Sequence, residues 1–362
     1  MLRSFEQRRM TKRKAEDELQ GESMWDQHHG MHWLRGELIG EGRCASVFLA
    51  TRKKKTRGQR SSMLTNLPAV MAVKSAEMSD SAFIEHEAEV LSEIKGCPFV
   101  VDCFGEETTS TDEGDEVYNL LLEYASGGTL DDLIEQSNGR GLPKSQVRRY
   151  TRCILEGLKH IHKCDYVHCN LKPENILLVR NRASTSSGNP TSFVAKIADF
   201  GFAKKSKDNY GEWRGTRLYQ SPEALEDNKQ DKPSDIWSLG CIVLEMLTGK
   251  SLSDLDSGCD YSDFDDRMTW FDHVSTPKIP AEITGTARDF LKSCLAVRPS
   301  RRLTAEELLF HSFVAQPQPS KPARCTKGKM ARSSLCHAGY NKSSVVVPRI
   351  PPPPGFETAA GS

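Results

Sequence analysis

The densest run of reactive side chains is Tyr166-Val167-His168-Cys169-Asn170-Leu171-Lys172-Pro173-Glu174-Asn175-Ile176-Leu177-Leu178, followed by Lys196-Ile197-Ala198-Asp199-Phe200-Gly201. Polar groups wedged between apolar strand segments serve no purpose in a purely structural loop, so they mark a site. Asp199 can act as a hard oxygen ligand for Mg²⁺, and Asn175 offers a neutral carbonyl to the same ion or its neighbour. Lys172 can neutralise charge on a phosphoryl oxygen. Upstream, Gly40-Glu41-Gly42-Arg43-Cys44-Ala45-Ser46-Val47 lets backbone amides approach phosphate closely. The third glycine position of G-x-G-x-x-G holds Ala45 and no helix follows directly, which argues against a dinucleotide site. Lys74 ends the apolar run Val70-Met71-Ala72-Val73, where an ammonium needs an anionic partner. The segment Ala82 to Ile94 reads as a helix with Phe83, Val90, Leu91 and Ile94 inward. Glu85, Glu87 and Glu89 on it are all candidate partners, and spacing does not choose among them.

These residues need two kinds of support. From Trp33 to about Tyr124 the apolar runs are short and β-branched, which reads as strands with loops. The basic Arg52 to Lys55 and acidic Glu106 to Glu116 insertions read as solvated hairpin tips. After Gly127-Gly128 the period turns helical, with Val147, Ile154, Leu158 and Ile161 on one stripe and Ile236 to Leu247 almost wholly apolar. Strands followed by helices give an α+β, two-lobed plan.

The chain has 362 residues, 37% hydrophobic and 27% charged, enough to bury a substantial core and too apolar for wholesale disorder. Lys and Arg number 49, as do Asp and Glu, so no global charge attracts nucleic acid or an anionic membrane. Eleven cysteines without a C-x-x-C pair read as reduced thiols of a soluble, cytoplasmic protein. Its start lacks a signal-peptide apolar stretch, and no run is long enough to span a bilayer. Residues 1–32 read as a disordered leader whose Lys12-Arg13-Lys14 cluster offers a nuclear address. Residues 315–362 read as a disordered tail, with eight of the 18 prolines and seven basic residues against Glu357 alone. The Asp254 to Asp266 stretch reads as a solvated loop, not a calcium site.

The motif set resembles that of the eukaryotic protein kinases over Trp33 to Val314. Besides the runs above, Gly215-Thr216-Arg217-Leu218-Tyr219-Gln220-Ser221-Pro222-Glu223 is similar to the end of an activation segment. Asp235-Ile236-Trp237-Ser238-Leu239-Gly240 resembles the buried helix whose aspartate braces the catalytic loop, and Arg302 the arginine that pairs with Glu223. Lys172 and Thr216 resemble the serine/threonine branch. Trp33-Leu34-Arg35-Gly36, Ala45, Val73-Lys74-Ser75 and His168-Cys169 resemble plant mitogen-activated protein kinase kinase kinases.

The resemblance implies a bilobal kinase fold, with an N-lobe over about 33–124 and a C-lobe over about 127–314. It implies ATP and Mg²⁺ as cofactors, with Asn175 and Asp199 on the metal and Lys74, paired with Glu87, on the α- and β-phosphates. Ile39, Gly40, Gly42, Val47, Ala72 and Leu177 are expected around the nucleotide. Glu123 and Ala125 are expected to present backbone hydrogen bonds to adenine, with Leu122 guarding the back pocket. A monomer acting on a protein substrate, a mitogen-activated protein kinase kinase by the subfamily likeness, completes the expectation.

Two positions depart from the family. Where it has H-R-D, this chain has His168-Cys169-Asn170. Without the arginine no cation waits for an activation-loop phosphate, so phosphorylation between Phe200 and Ser221 is not expected to be the main switch. Asn170 stands where an aspartate orients the substrate hydroxyl and takes its proton, and an amide is no useful base. Losing a general base costs about 10²–10⁴-fold, while positioning and charge neutralisation persist. The expectation is thus a slowed kinase with Asn170, Lys172, Asn175 and Asp199 at its centre, the alternative being a nucleotide-binding scaffold. Cys103, Cys241 and Cys294 read as core filler, Cys44 as an exposed thiol near phosphate, and His160 and His162 as satisfied structural histidines.

Overall fold

A computed structural model describes residues 29–42, 45–54, 67–110, 114–181, 193–208, 214–255 and 277–315. Contacts divide the chain into Met1–Gln316 and Pro317–Ser362, and every described residue lies in the first unit. The expected tail beyond Ala315, Cys44, and most of the Asp254 to Asp266 stretch lie outside the described residues, as does the leader before residue 29.

Strands β1 (Trp33–Glu41), β2 (Ser46–Arg52), β3 (Val70–Glu77), β4 (Cys103–Ser110) and β5 (Glu116–Leu122) form one antiparallel sheet in the order β1-β2-β3-β5-β4. Register sets its two faces. Val47 and Leu120 flank Lys74, and Leu122 lies opposite Ala72, so these residues share one face. Phe48, Ala50, Met71, Val73 and Leu121 point the other way and pack with Trp33 and Arg35. Arg35 lies between the Trp33 and Phe48 rings and donates to Ser75 and Asn119, and burial lowers its pKa to about 10.

Helix α1 (Ala82–Glu93) packs on the first face. Val90, Leu91 and Ile94 are buried as expected, but Phe83 is not: it is 41% exposed, and Ile84 takes the inward position. Phe83 instead meets Phe202 across 5.2 Å between ring centroids. The rest of the stripe is as expected, and Phe83 alone leaves it because it packs on a segment that local periodicity cannot see.

Other boundaries shift as well. Residues 30–32, placed in the leader from sequence, are tied down: Met31 N–H donates to Glu107, and Lys53 donates to the carbonyls of Gly30 and His32. Arg52 ends β2, and Glu106 and Glu107 lie within β4, where they accept from Tyr118 and from Trp33. Arg52 and the two described ends of the acidic stretch, residues 106–110 and Glu116, are therefore strand, while Lys53 and Lys54 lie beyond β2. The side chains carry cross-strand bonds there that composition cannot reveal.

The second lobe is helical. It begins with α2 (Leu130–Glu135), closed by a Thr129–Asp132 capping box, and α3 (Lys144–Lys163), which buries Val147, Ile154, Leu158 and Ile161. Short strand β6 (Tyr166–Val167) leads into the loop that holds His168, Asn170 and Lys172, and β7 (Ile176–Arg180) pairs with β8 (Phe193–Ile197) beneath it. β9 (Lys204–Lys205) pairs back on β6. Then come α4 (Pro222–Asp227), α5 (Lys232–Thr248), α6 (Leu252–Leu255), α7 (Gly285–Cys294) and α8 (Ala305–Leu309). In α5 every residue from Ser234 to Met246 is buried, and an Asp231–Ser234 capping box starts it. A wholly buried helix is a rigid post, and its first-turn Asp235 is the part used by the site. Cys241 and Cys294 are core residues, whereas Cys103 on the sheet edge is only half-buried. Among the described residues, no helix is long and apolar enough to cross a membrane.

Candidate active site

The one acid on β3, Glu77, is three residues from Lys74 and so on the opposite face, and the Lys74 charge is met from two distant elements. Its Nζ lies 2.6 Å from Glu87 on α1 and 2.8 Å from Asp199 after β8. Burial works against the ammonium, but the Coulomb attraction of Glu87 and Asp199 outweighs it and holds the pKa above the ordinary lysine value. Glu87, not Glu85 or Glu89, is the partner, and its second oxygen accepts from the Phe200 N–H at 3.0 Å. Burial likewise opposes the Asp199 charge, and Lys74 reverses that effect, leaving the carboxyl below its usual range.

The loop after β6 hangs from α5. Asp235 accepts the N–H groups of His168 at 2.9 Å and Cys169 at 3.1 Å, and His162 from α3 meets the same carboxylate at 2.9 Å. Burial disfavours the Asp235 charge, yet these donors keep its pKa depressed. The hold matters because Cys169 has φ of +64° and Asp199 φ of +66°, the left-handed region where a residue with a Cβ persists only if its surroundings fix it. His168 adds a bond to the Ala198 carbonyl at 3.1 Å and an edge contact to the Phe200 ring.

Asn170 is 6% exposed, and both ends of its amide are bound. Its Oδ1 accepts both the N–H and the hydroxyl of Thr216 at 3.0 Å, and its Nδ2 donates to Asp199 Oδ2 at 3.2 Å. Asn175 Nδ2 donates to the Asn170 carbonyl at 2.8 Å and to the same Asp199 oxygen at 3.2 Å, leaving its own Oδ1 without a partner among the described residues. The activation segment approaches this closely only because residue 215 is glycine. It has φ of +95°, and a Cβ there would sit 2.2 Å from the Cys169 carbonyl oxygen.

The structure thus joins Lys74, Glu87, Asn170, Asn175 and Asp199 directly. Lys172 reaches Glu174 at 3.6 Å and adds positive potential at Asp199. Gly40 pairs with Val47, which pairs with Lys74, and Ala72 shares the Lys74 face, so the glycine strand turns over the same site. Gly42 N–H closes the turn on the Ala45 carbonyl. Ile39 is 41% exposed on β1 and Leu177 is half-buried on β7. Beyond Leu122, the Glu123 carbonyl and the Ala125 N–H carry no hydrogen bond among the described residues, while the Glu123 side chain pairs with Lys196. His162, read as structural, proves to brace Asp235; the two lie 73 positions apart, and no spacing signal links them.

Where the family has arginine, the Cys169 thiol is buried, faces the Val167 carbonyl and has its pKa pushed up by desolvation, so it carries no charge. The activation segment is instead fastened to α1 by other means. His86 bonds to the Ala203 carbonyl at 2.7 Å, Lys205 pairs with Glu93 at 2.5 Å, and Phe83 meets Phe202.

Residues 33–314 match the protein kinase domain family. The chain is 38% identical over 290 residues to mitogen-activated protein kinase kinase kinase 20 of Arabidopsis thaliana, covering 78% of each chain. It is 36% identical over 296 residues to mitogen-activated protein kinase kinase kinase 18 of the same plant, covering 80% of this chain and 79% of the relative. Mitogen-activated protein kinase kinase kinase 17 is 35% identical over 294 residues, covering 81% of this chain and 72% of that protein.

Proposed function

The chain belongs to the protein kinase family, as a serine/threonine kinase of the mitogen-activated protein kinase kinase kinase type, and we propose that it transfers the γ-phosphate of ATP to a protein hydroxyl slowly, with Asn170 orienting that hydroxyl but not taking its proton. Members of this family use ATP and Mg²⁺, and the donor set here suits both. Asp199 and the uncommitted Asn175 Oδ1 are hard oxygen donors for magnesium, and the uncommitted Glu123 carbonyl and Ala125 N–H match an adenine edge. Bound magnesium would supply charge neutralisation on the phosphoryl oxygens. Lys74, fixed by Glu87, would hold the α- and β-phosphates, and Lys172 would face charge developing on the transferred group.

The observation that carries the slow-transfer reading is the pinned Asn170 amide. With Oδ1 saturated by Thr216 and Nδ2 directed to Asp199, the group left for a substrate hydroxyl is an N–H donor. A donor can hold the oxygen in place but cannot accept its proton. The test pairs a thermal-shift titration with ATP and Mg²⁺ against phosphotransfer to a generic basic protein. The native chain is expected to be stabilised by ATP with Mg²⁺ and to transfer above an Asp199→Ala background. No stabilisation and no transfer above that background would refute it.

Further parts of this reading concern its surroundings. The ties from α1 to Phe202, Ala203 and Lys205 support an active arrangement that does not wait for an activation-loop phosphate, and phosphatase treatment should leave the rate unchanged. We infer that the substrate hydroxyl belongs to a mitogen-activated protein kinase kinase, as the relatives' names imply for them, and assay with purified kinase kinases tests it. A monomer is expected in light scattering. A cytoplasmic location, with Lys12-Arg13-Lys14 as a route to the nucleus, is tested by a fluorescent fusion with and without that cluster.

A further inference from the structure

A cavity of about 540 Å³ lies between the last turns of α3, the first turn of α5 and the segment entering α8. That volume is within the usual range for small-molecule sites, about 300–1,000 Å³. None of the residues assigned above to nucleotide, metal or substrate lines it. Its apolar wall is made by Pro233, Ile236, Leu303 and Ala305.

The charged groups around it are unequal. Lys159, Lys163 and Lys232 reach the cavity, and Glu306 is the one acid among its lining residues. Arg302 also lines it but spends its five N–H groups on Glu223 and on the carbonyls of Pro233, Ala296 and Val297, so it is part of the wall. Lys159 pairs with Glu306 and Lys232 with Asp165, each at 2.8 Å, and both pairs are solvent-exposed and therefore weak. Lys163 is exposed and makes no hydrogen bond or close ion pair among the described residues, although its charge reaches Glu306 at longer range. His162 is only 11% exposed and gives Nε2 to Asp235, and its Nδ1 has no partner among the described residues. The carboxylates of Asp235 and Glu223 are spent behind the wall, on the catalytic-loop amides and on Arg302. The wall is rigid for the same reason that the catalytic loop is, because both rest on the buried start of α5.

We propose that this cavity binds a small organic anion, an apolar body carrying one phosphate or carboxylate. A single anionic group is specified because Lys163 is the one lysine of the rim without a carboxylate at ion-pair distance, and an apolar body because the floor is aliphatic. The basic tail beyond Ala315 has the wrong sign to be the occupant.

The test is calorimetric titration of the full chain with phenyl phosphate, with inorganic phosphate and phenol as controls that each carry one half of the ligand. Phenyl phosphate is expected to bind at one site about tenfold or more tightly than either control, and more weakly as salt rises. Lys163→Glu should weaken it by about tenfold or more with the melting temperature unchanged, and Lys163→Ala by less. Lys292→Glu, on α7, should leave it unaffected. Lys74→Met separates the cavity from the nucleotide cleft, since only cleft-bound anion would be lost. Binding no tighter than inorganic phosphate, binding insensitive to Lys163→Glu, or binding abolished by Lys74→Met would each overturn the proposal, whatever the kinase activity proves to be.

Discussion

Asn170→Asp tests the chemistry most directly, because the same atom change has opposite effects on rate and on stability. The new carboxylate would still accept both Thr216 donors, now 3.0 Å from Asn170 Oδ1, so its position should be kept. It would also become a base beside the substrate hydroxyl. A positioned general base contributes about 10²–10⁴-fold, which is roughly 3–5 kcal/mol of barrier. The cost lies at Asp199. The present amide donates across 3.2 Å, and replacing it sets two carboxylates in contact. At an effective dielectric of about 20, like charges about 4 Å apart repel by roughly 4 kcal/mol, an upper bound. Lys74, 2.8 Å from the other Asp199 oxygen, offsets part of this, so a loss of about 1–3 kcal/mol is expected without metal. The variant should therefore unfold at lower denaturant without Mg²⁺, regain stability with ATP and Mg²⁺, and transfer phosphate 10²-fold or more faster than the native chain, consistent with the general-base range. The reasoning fails if Asn170→Asp and native rates agree within about threefold while both stand well above Asp199→Ala. A native rate equal to the Asp199→Ala background, with Asn170→Asp far above it, would favour the scaffold reading over the kinase.

Glu87→Gln should remove one of the two anions holding Lys74 and loosen α1 from Phe200. A phosphotransfer loss of about tenfold or more is expected, with a smaller thermal shift on adding ATP and Mg²⁺. Gly215→Ala places a Cβ 2.2 Å from the Cys169 oxygen at φ of +95°. It should cost about 1–3 kcal/mol in denaturant unfolding and displace Thr216 from Asn170, so the rate should fall as well. Glu245 is 2% exposed in the core, and burial raises its pKa from 4.5 to about 7, although Leu252 N–H and Tyr219 stabilise its charge. The folded chain then holds more protons than the unfolded one between those values, so stability should fall as pH rises from about 4.5 to about 7. Glu245→Gln keeps the acceptor for Leu252 and should flatten that part of a stability–pH curve by about 1–3 kcal/mol; an unchanged curve would count against the buried-carboxyl argument.

Much of the site can be read from the chain because phosphate and metal chemistry restricts residue types strongly. The glycine strand, Lys74, Asn175 and Asp199 each need a particular functional group, and each sits in a recognisable local frame of strand or loop. The strand-to-helix change near Gly127 and the apolar length of α5 follow from periodicity, which is a property of neighbouring residues. Sequence and structure part where a partner is remote. Periodicity points Phe83 inward although Phe202 draws it to the surface of α1, and composition places Glu106 and Glu107 in a loop although Tyr118 and Trp33 bind them on β4.

Through motifs that resemble those of the protein kinases, the chain therefore points to kinase chemistry in two lobes, with an amide at the position of the usual base. Tertiary structure decided the rest: Glu87 over its two neighbours on α1, His162 as the brace of Asp235, and an Asn170 amide turned with its oxygen to Thr216 and its nitrogen to Asp199. Those choices depend on which groups meet across 125 residues from Lys74 to Asp199, or 73 from His162 to Asp235. Local sequence sets torsions and periodicity, whereas pairing at such separations is fixed by how the lobes pack, because a buried charge takes whichever partner the packed backbone brings within reach.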